Sequence, residues 1–183
     1  MPAARGNSLD EQSKQGLSNE WTTMREPRTK IVDVKTLKAE RERLRKEHKT
    51  LVFTNGCFDI LHTGHIDYLT FARNQGDALA VGLNSDASVQ RNKGEKRPII
   101  QQADRAEMLA ALEMVDYVVL FDEDEPIRLI GEILPDILVK GEDWKHYVSG
   151  REIVEKNGGK VVLAKLTPGR STTDIVQRVK DRG

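Results

Sequence analysis

Two histidines three positions apart, in His62-Thr63-Gly64-His65, are the sharpest chemical signal in the chain. They follow a short apolar run and the segment Thr54-Asn55-Gly56-Cys57-Phe58-Asp59, and they lead into a stretch with helical patterning. A helix amino end carries unmatched N–H groups and the positive end of the helix dipole, so imidazoles placed there face an anion-binding position. Gly64 lets the backbone turn tightly and come close to a ligand. This arrangement suits phosphate. Zinc is the weaker reading, because zinc-binding helices space two histidines at i and i+4 and need a third ligand, and neither is evident here.

Three further groups follow other apolar runs. The loop Arg91 to Pro98 carries Lys93 and Arg97, and without context it reads first as a solvated charged loop. Val139-Lys140-Gly141-Glu142-Asp143-Trp144 offers a cation, a glycine and a carboxylate that could accept hydrogen bonds from a sugar or base. Gly169-Arg170-Ser171-Thr172-Thr173-Asp174 places three hydroxyls and an arginine where a last helix should begin. Those residues would cradle a phosphate, although Ser171 with Asp174 also has the spacing of a capping box. Arg97, Arg105, Lys140 and Arg170 are the candidate contacts to phosphate or substrate beyond the histidines. The single Cys57 excludes an intramolecular disulfide and a cysteine-only metal cage.

The elements that must position these groups are legible in the apolar pattern. Continuous runs at Leu51 to Phe53, Ala78 to Leu83, Tyr117 to Phe121, Ile137 to Val139 and Val161 to Leu163 suit strands buried on both faces of a parallel sheet. Helices are expected at Ile66 to Asn74, at Asp104 to Met114, from Pro126, from Gly150 to the Asn157-Gly158-Gly159 stop, and from Ser171. Strand and helix in alternation predict an α/β, Rossmann-like fold, a five-stranded parallel sheet flanked by helices whose ligands bind beyond the strand carboxyl ends.

Bulk properties set the boundaries. The 183 residues fit one core. Lys plus Arg (29) equals Asp plus Glu (29), so no overall field attracts nucleic acid or a membrane, and any anion site must gather charge locally. Residues 1–28 are polar and read as a mobile tail in which Trp21 is the one docking candidate; 29–49 form an amphipathic helix region; 50–183 form the α/β domain. In the helix region Val34, Leu37 and Leu44 share a face that Arg41 joins by its aliphatic stem. The start lacks the apolar stretch of a signal peptide and no run is long enough to span a bilayer, so the expected location is cytoplasmic.

The runs TNGCFDILHTGH, NSDAS, RAEMLAALEMVDYVV, ILPDILVKGEDW and STTDIV, with a KG followed by RP, span about residues 51 to 180. Together they resemble the cytidylyltransferase-like nucleotidyltransferases, and within them the branch that adenylylates heptose 1-phosphate. No sugar-kinase segment precedes them, which gives the expectation of a stand-alone enzyme. The resemblance implies that His62 and His65 bind the triphosphate and stabilise the transition state, with Lys93 contacting phosphates. It also implies that Asn55, Gly56, the Cys57 backbone, Phe58, Gly141 and Asp143 line the nucleotide site and that Ser171, Thr172 and Thr173 hold phosphate oxygens. One departure stands out: the arginine that cytidylyltransferases carry ahead of the glycine is Leu166 here, and Arg170 replaces an apolar residue.

The implied reaction passes AMP from ATP to D-glycero-D-manno-heptose 1-phosphate, with Mg²⁺ riding on the phosphates and no protein metal ligands assigned. The implied partners are ATP and a sugar phosphate, and the implied assembly is a homodimer. Cytidylyl transfer to glycerol 3-phosphate or a similar alcohol phosphate is the alternative within the family. A noncatalytic nucleotide sensor on the same fold is the alternative outside it. Class I aminoacyl-tRNA synthetases share the histidine signature but are longer and carry a lysine-rich loop that is absent here.

Overall fold

The computed structural model describes residues 25–182. Five strands, β1 (Leu51–Gly56), β2 (Ala78–Asn84), β3 (Tyr117–Phe121), β4 (Ile137–Gly141) and β5 (Lys160–Ala164), form one parallel sheet in the order β3-β2-β1-β4-β5. The helices are α1 (Val34–Lys46), α2 (Thr63–Arg73), α3 (Asp86–Lys93), α4 (Gln102–Ala110), α5 (Ile127–Ile133), α6 (Arg151–Lys156) and α7 (Thr172–Lys180).

The parity of the strands builds two cores. Leu51, Phe53, Ala80, Val119 and Leu138 face α1, α5 and α6, whereas Val52, Leu79, Val81, Val118 and Val139 face α2 and α4. β5 is the exception to the expected two-sided burial, because it lies at the sheet edge with Lys160 and Leu163 exposed. On α1 the expected face is buried at Leu37, Arg41 and Leu44, with Val34 partly buried against the same core. Arg41 does more than lend its stem: its guanidinium donates to the Asp136 carboxylate and, at 3.0 Å, to the Leu134 carbonyl. Asp136 also accepts from Leu51 N at 2.8 Å, so the pair ties α1 to the amino edge of β1.

The expected tail lies outside the described residues as far as 24, Trp21 included. Residues 25–28, which that boundary assigns to it, run into a 3-10 turn at Pro27–Lys30. Arg25 there donates to the Asp116 carbonyl and Arg28 pairs with Glu107.

Two features of this topology make the site. The chain winds outward from β1 to β3, then returns to β4 on the other side of β1, so the switch point falls between β1 and β4. These two strands pair only at Val52–Ile137 and Phe53–Leu138 and then part. Tyr68 of α2 fills the fork: its hydroxyl lies 2.6 Å from Thr54 Oγ1 and donates to the Val139 carbonyl at 3.1 Å. Beyond it the strand ends open into a cleft.

Candidate active site

The cleft encloses about 710 Å³ and is walled by the ends of β1, β2 and β4, the first turn of α2, the end of α3, the Asp124–Pro126 loop and the entry to α7. Among the residues expected at the site, Asn55, Gly56, Cys57, Phe58, His62, His65, Lys93, Lys140, Gly141, Asp143, Arg170, Ser171, Thr172 and Thr173 all line it. Arg97 sits in an adjoining recess of about 290 Å³ with Asp59, Lys93, Thr172 and Thr173.

His62 is the N-cap of α2 and His65 lies in its first turn, and their rings stack at 3.8 Å with a 21° tilt. Phe58 closes the far side of His65, with ring centroids 5.2 Å apart. To do so it takes a left-handed backbone conformation, φ 44°, which a bulky residue adopts only when its surroundings hold it there. Gly64 has a packing reason of its own: a Cβ there would lie 3.0 Å from the Arg170 Cβ and 3.1 Å from the His62 ring.

The Nδ1 atoms of both imidazoles are buried and make no hydrogen bond, so neither ring has a hydrogen-bond acceptor behind it, although the Asp174 charge favours the imidazolium of His62. Burial lowers His65 to about 4, helped by the neighbouring His62 and by Lys93. Burial and then the Arg170 charge lower His62 as well. Burial thus favours the neutral form of both rings, in which each imidazole has one N–H donor and one acceptor nitrogen. The positive charge of the cleft then sits on its lysines and Arg170.

Lys140 is the deepest of those cations. It is 7% exposed, its ammonium donates to Asn55 Oδ1 across the β1–β4 fork, and the Trp144 ring centre lies 5.6 Å away. Burial brings it down to about 8 against the opposing pull of Asp143 and Glu125. Lys93 is exposed as the last residue of α3, not on the loop expected there. That helix escapes sequence reading because only Ser88 and Val89 of it are buried, which leaves no apolar stripe.

At the head of α7, Ser171 Oγ accepts from Asp174 N at 3.0 Å, the capping bond its spacing predicted, and its own O–H stays free to donate. Thr172 Oγ1 donates to the Ile60 carbonyl at 3.4 Å, which fastens the α7 entry to the loop ahead of His62.

Two expected substrate contacts take other roles. Arg105 is 1% exposed and spends its guanidinium on the carbonyls of Cys57, Asn84 and Ile100 and on the Asp86 carboxylate. It is a strut beneath the site, out of a substrate's reach. Arg97 donates to Asp59 Oδ2 at 2.7 Å, while the Ile99 and Ile100 amides hold Asp59 Oδ1. Tyr68, Asn84, Asn92, Asp124, Glu125 and Ser149 line the cleft without having been singled out. Asp124 and Glu125 stay exposed at the rim of the cleft. Among the described residues no group of three or more His, Cys, Asp and Glu is placed to hold a metal ion, and no helix is long and apolar enough to cross a membrane.

A family model described as cytidylyltransferase-like matches residues 53–178. The chain is 56% identical over 139 residues to the bifunctional protein HldE of Syntrophotalea carbinolica, covering 75% of this chain and 28% of that protein. It is 53% identical over 150 residues to HldE of Citrifermentans bemidjiense, covering 80% and 31%. The chain thus spans about three-tenths of the length of these curated relatives. Among solved structures, the lipopolysaccharide core biosynthesis protein of Thermoplasma volcanium superposes with a TM-score of 0.54 at 33% identity, covering 65% of this chain and 97% of that one. Pantoate-beta-alanine ligase of Francisella tularensis, at 18% identity and a TM-score of 0.56, covers 82% of this chain and 76% of its own and shares the fold.

Proposed function

Because the chain belongs to the cytidylyltransferase-like family, we propose that its cleft transfers AMP from MgATP to D-glycero-D-manno-heptose 1-phosphate, yielding ADP-heptose and pyrophosphate. The observation that carries nucleotidyl transfer is the stacked pair His62 and His65 at the amino end of α2, facing the Ser171 to Thr173 entry of α7 across a cleft lined by Lys93, Lys140 and Arg170. Support for the heptose acceptor comes from the runs between residues 51 and 180 and from likeness to a lipopolysaccharide core biosynthesis protein. Leu166 at the cleft wall, in place of the arginine of cytidylyltransferases, weighs against CTP.

The chemistry asks little of acid–base groups. A sugar phosphate has its second pKa near 6, so its oxygen is already an anion at neutral pH and needs no general base. That oxygen bonds to the α-phosphorus, the bond from the α-phosphorus to the bridging oxygen breaks, and pyrophosphate leaves with the electron pair. The barrier is the approach of anions and the charge that builds on nonbridging and leaving oxygens.

His62 and His65 donate hydrogen bonds to those oxygens without carrying charge. Ser171 and the free amides of the α7 amino end take further oxygens. Lys93, Thr172 and Thr173 border both the main cleft and the recess in which Arg97 is paired with Asp59, so pyrophosphate departs between Lys93 and the α7 entry. Mg²⁺ arrives as part of the substrate, bound to its phosphates.

We place this activity in the cytoplasm and in a homodimer; sedimentation of the purified protein tests the latter. The decisive assay is pyrophosphate release from a panel of nucleoside triphosphates and sugar or polyol phosphates with Mg²⁺. ATP with the heptose phosphate should turn over best. Turnover of CTP with glycerol 3-phosphate and none with ATP and the heptose phosphate would sink the assignment, and no turnover with any pair would favour a nucleotide sensor.

A further inference from the structure

Strands β1 and β4 part after two pairs, yet each runs on beside its other neighbour, β1 with β2 as far as Gly56 and Leu83 and β4 with β5 as far as Gly141 and Ala164. The sheet therefore has a gap at the floor of the cleft. Register carried forward from Phe53 and Leu138 sets Thr54 opposite Val139 and Asn55 opposite Lys140 across that gap. Parity puts the two pairs on opposite faces. Lys140 donates to Asn55 Oδ1 on the face of Phe53 and Leu138, and Tyr68 bridges Thr54 and Val139 on the face of α2.

The direction of the bridge follows from its protons. A phenol has one, and Tyr68 gives it to the Val139 carbonyl, so Thr54 Oγ1 is the donor to Tyr68 Oη. Burial raises the phenol above its ordinary value, which keeps that proton on the oxygen. Thr54 and Val139 are fully buried, so without the phenol both lose this partner.

Tyr68 makes the bridge from the helix that carries the histidines. It lies one turn after His65, and residues three apart share a helix face. Among the described residues its hydroxyl makes the only side-chain hydrogen bonds from α2 to any strand, because Asp67 and Arg73 bond to loops. Leu69 and Ala72 press the later turns onto the sheet, but apolar packing is non-directional. The hydroxyl is thus the directional contact that sets where the first turn stands over the gap.

We propose that Tyr68 is a positioning residue for the transfer step: its hydroxyl holds the first turn of α2 over the β1–β4 gap, and through that turn it aims the His65 ring at the reacting phosphates. This role rests on the reaction proposed above. A donor has to meet the oxygen on which charge builds at hydrogen-bond distance, so loss of the anchor acts on the chemical step and leaves binding nearly intact.

The test is a double-variant cycle in steady-state kinetics with ATP and D-glycero-D-manno-heptose 1-phosphate: wild type, Tyr68→Phe, His65→Ala and the two combined, with thermal unfolding to check that each is folded. Phenylalanine keeps the ring and removes only the hydroxyl. Tyr68→Phe should lower kcat about tenfold, short of the ~10²-fold that a full ångström of misplacement can cost, and leave both KM values within about twofold. In the His65→Ala background the same substitution should cost less than about twofold, because the donor it aims is already gone. A loss that repeats in full in the double variant, as a merely structural role requires, would overturn the proposal. So would a raised KM with kcat unchanged, or wild-type turnover in folded Tyr68→Phe. If Tyr68→Phe fails to fold, Thr54→Val removes only the hydroxyl that donates to Tyr68 and takes its place in the cycle under the same criteria.

NMR titration of the His65 ring separates this role from the reaction itself. An unanchored first turn admits water to the ring, so its pKa should rise from about 4 toward 6.5 in Tyr68→Phe. If the wild type turns over no substrate pair, the proposed reaction fails and this shift alone decides whether Tyr68 holds the histidine, an unmoved pKa then overturning the proposal.

Discussion

The imidazoles of His62 and His65 lie face to face, 3.8 Å between ring centres, and each keeps its Nδ1 buried without a partner. A histidine intended to carry a proton commonly has a carboxylate or carbonyl behind it to receive the second N–H. Here protonation would create a buried donor with nothing to accept it, next to another imidazole and to Lys93. In the proposed reaction the pair therefore donates from neutral rings, and that sets what its variants should do.

Replacing either histidine with Ala should lower turnover by roughly 10² to 10³, the loss seen for one preorganised donor to a developing oxyanion. Glutamine, whose amide nitrogen reaches about as far as imidazole Nε2, should recover much of that loss because no charge has to be replaced. Steady-state kinetics of His62→Ala, His62→Gln, His65→Ala and His65→Gln decide it. Glutamine variants as inactive as the alanine ones would mean that the imidazolium form does the work.

Stability should carry the mark of the same burial. His65 has its ordinary value of 6.5 in the unfolded chain and about 4 in the folded one, so between those values the unfolded chain binds the extra proton. Stability from this residue is therefore complete above about pH 6.5 and is lost as pH falls toward 4. Thermal unfolding midpoints measured from pH 4 to 7 should drop on the acid side in the wild type and drop less in His65→Gln. Parallel curves would show that the acid loss comes from elsewhere.

Sheet, crossovers and the rim of residues at the strand ends were legible in the chain because each rests on a local pattern: β3 is a bare apolar run, and Ser171 three residues before Asp174 announces the α7 cap. What was not legible depends on contacts distant in sequence. Arg105 looked like a ligand group because a lone cation in a helix gives no sign of its partners, and these lie 48 residues away at Cys57 and 21 away at Asn84. Glu125 was not singled out, because nothing local shows that the return of the chain to β4 brings it beside Lys140. Helix α3 failed for a different reason, its fold-facing side being too small to register as periodic.

Arg105 should matter to catalysis without touching substrate. Its guanidinium holds the Cys57 carbonyl, one residue before the strained Phe58 that closes over His65. Arg105→Lys keeps the charge but cannot fork to carbonyls on three segments, and unpaired buried carbonyls cost about 1 to 3 kcal/mol each. The variant should unfold at lower denaturant and show reduced turnover, with little change in the affinity for the sugar phosphate. A fully stable Arg105→Lys protein would remove the strut from the account.

Arg170 stands where a cytidylyltransferase carries an apolar residue, and its charge is among the causes that lower His62. It lines the same cleft wall as Leu166, so a cation lost at one position of the β5–α7 segment is present at another. If that cation serves the triphosphate, Arg170→Ala should raise the KM for ATP about tenfold, the lower end for a lost charge-assisted bond, while acceptor affinity holds. A second readout is independent of activity. Removing a positive neighbour must move the His62 pKa upward, because a like charge disfavours the imidazolium. Titration of the His62 ring signals by NMR in the wild type and in Arg170→Ala reads this directly, with His65 as the internal comparison since Arg170 is not among the causes of its shift. An upward move of His62 together with an unchanged KM for ATP would leave Arg170 as an electrostatic neighbour of the histidine and show that it does not replace the missing arginine.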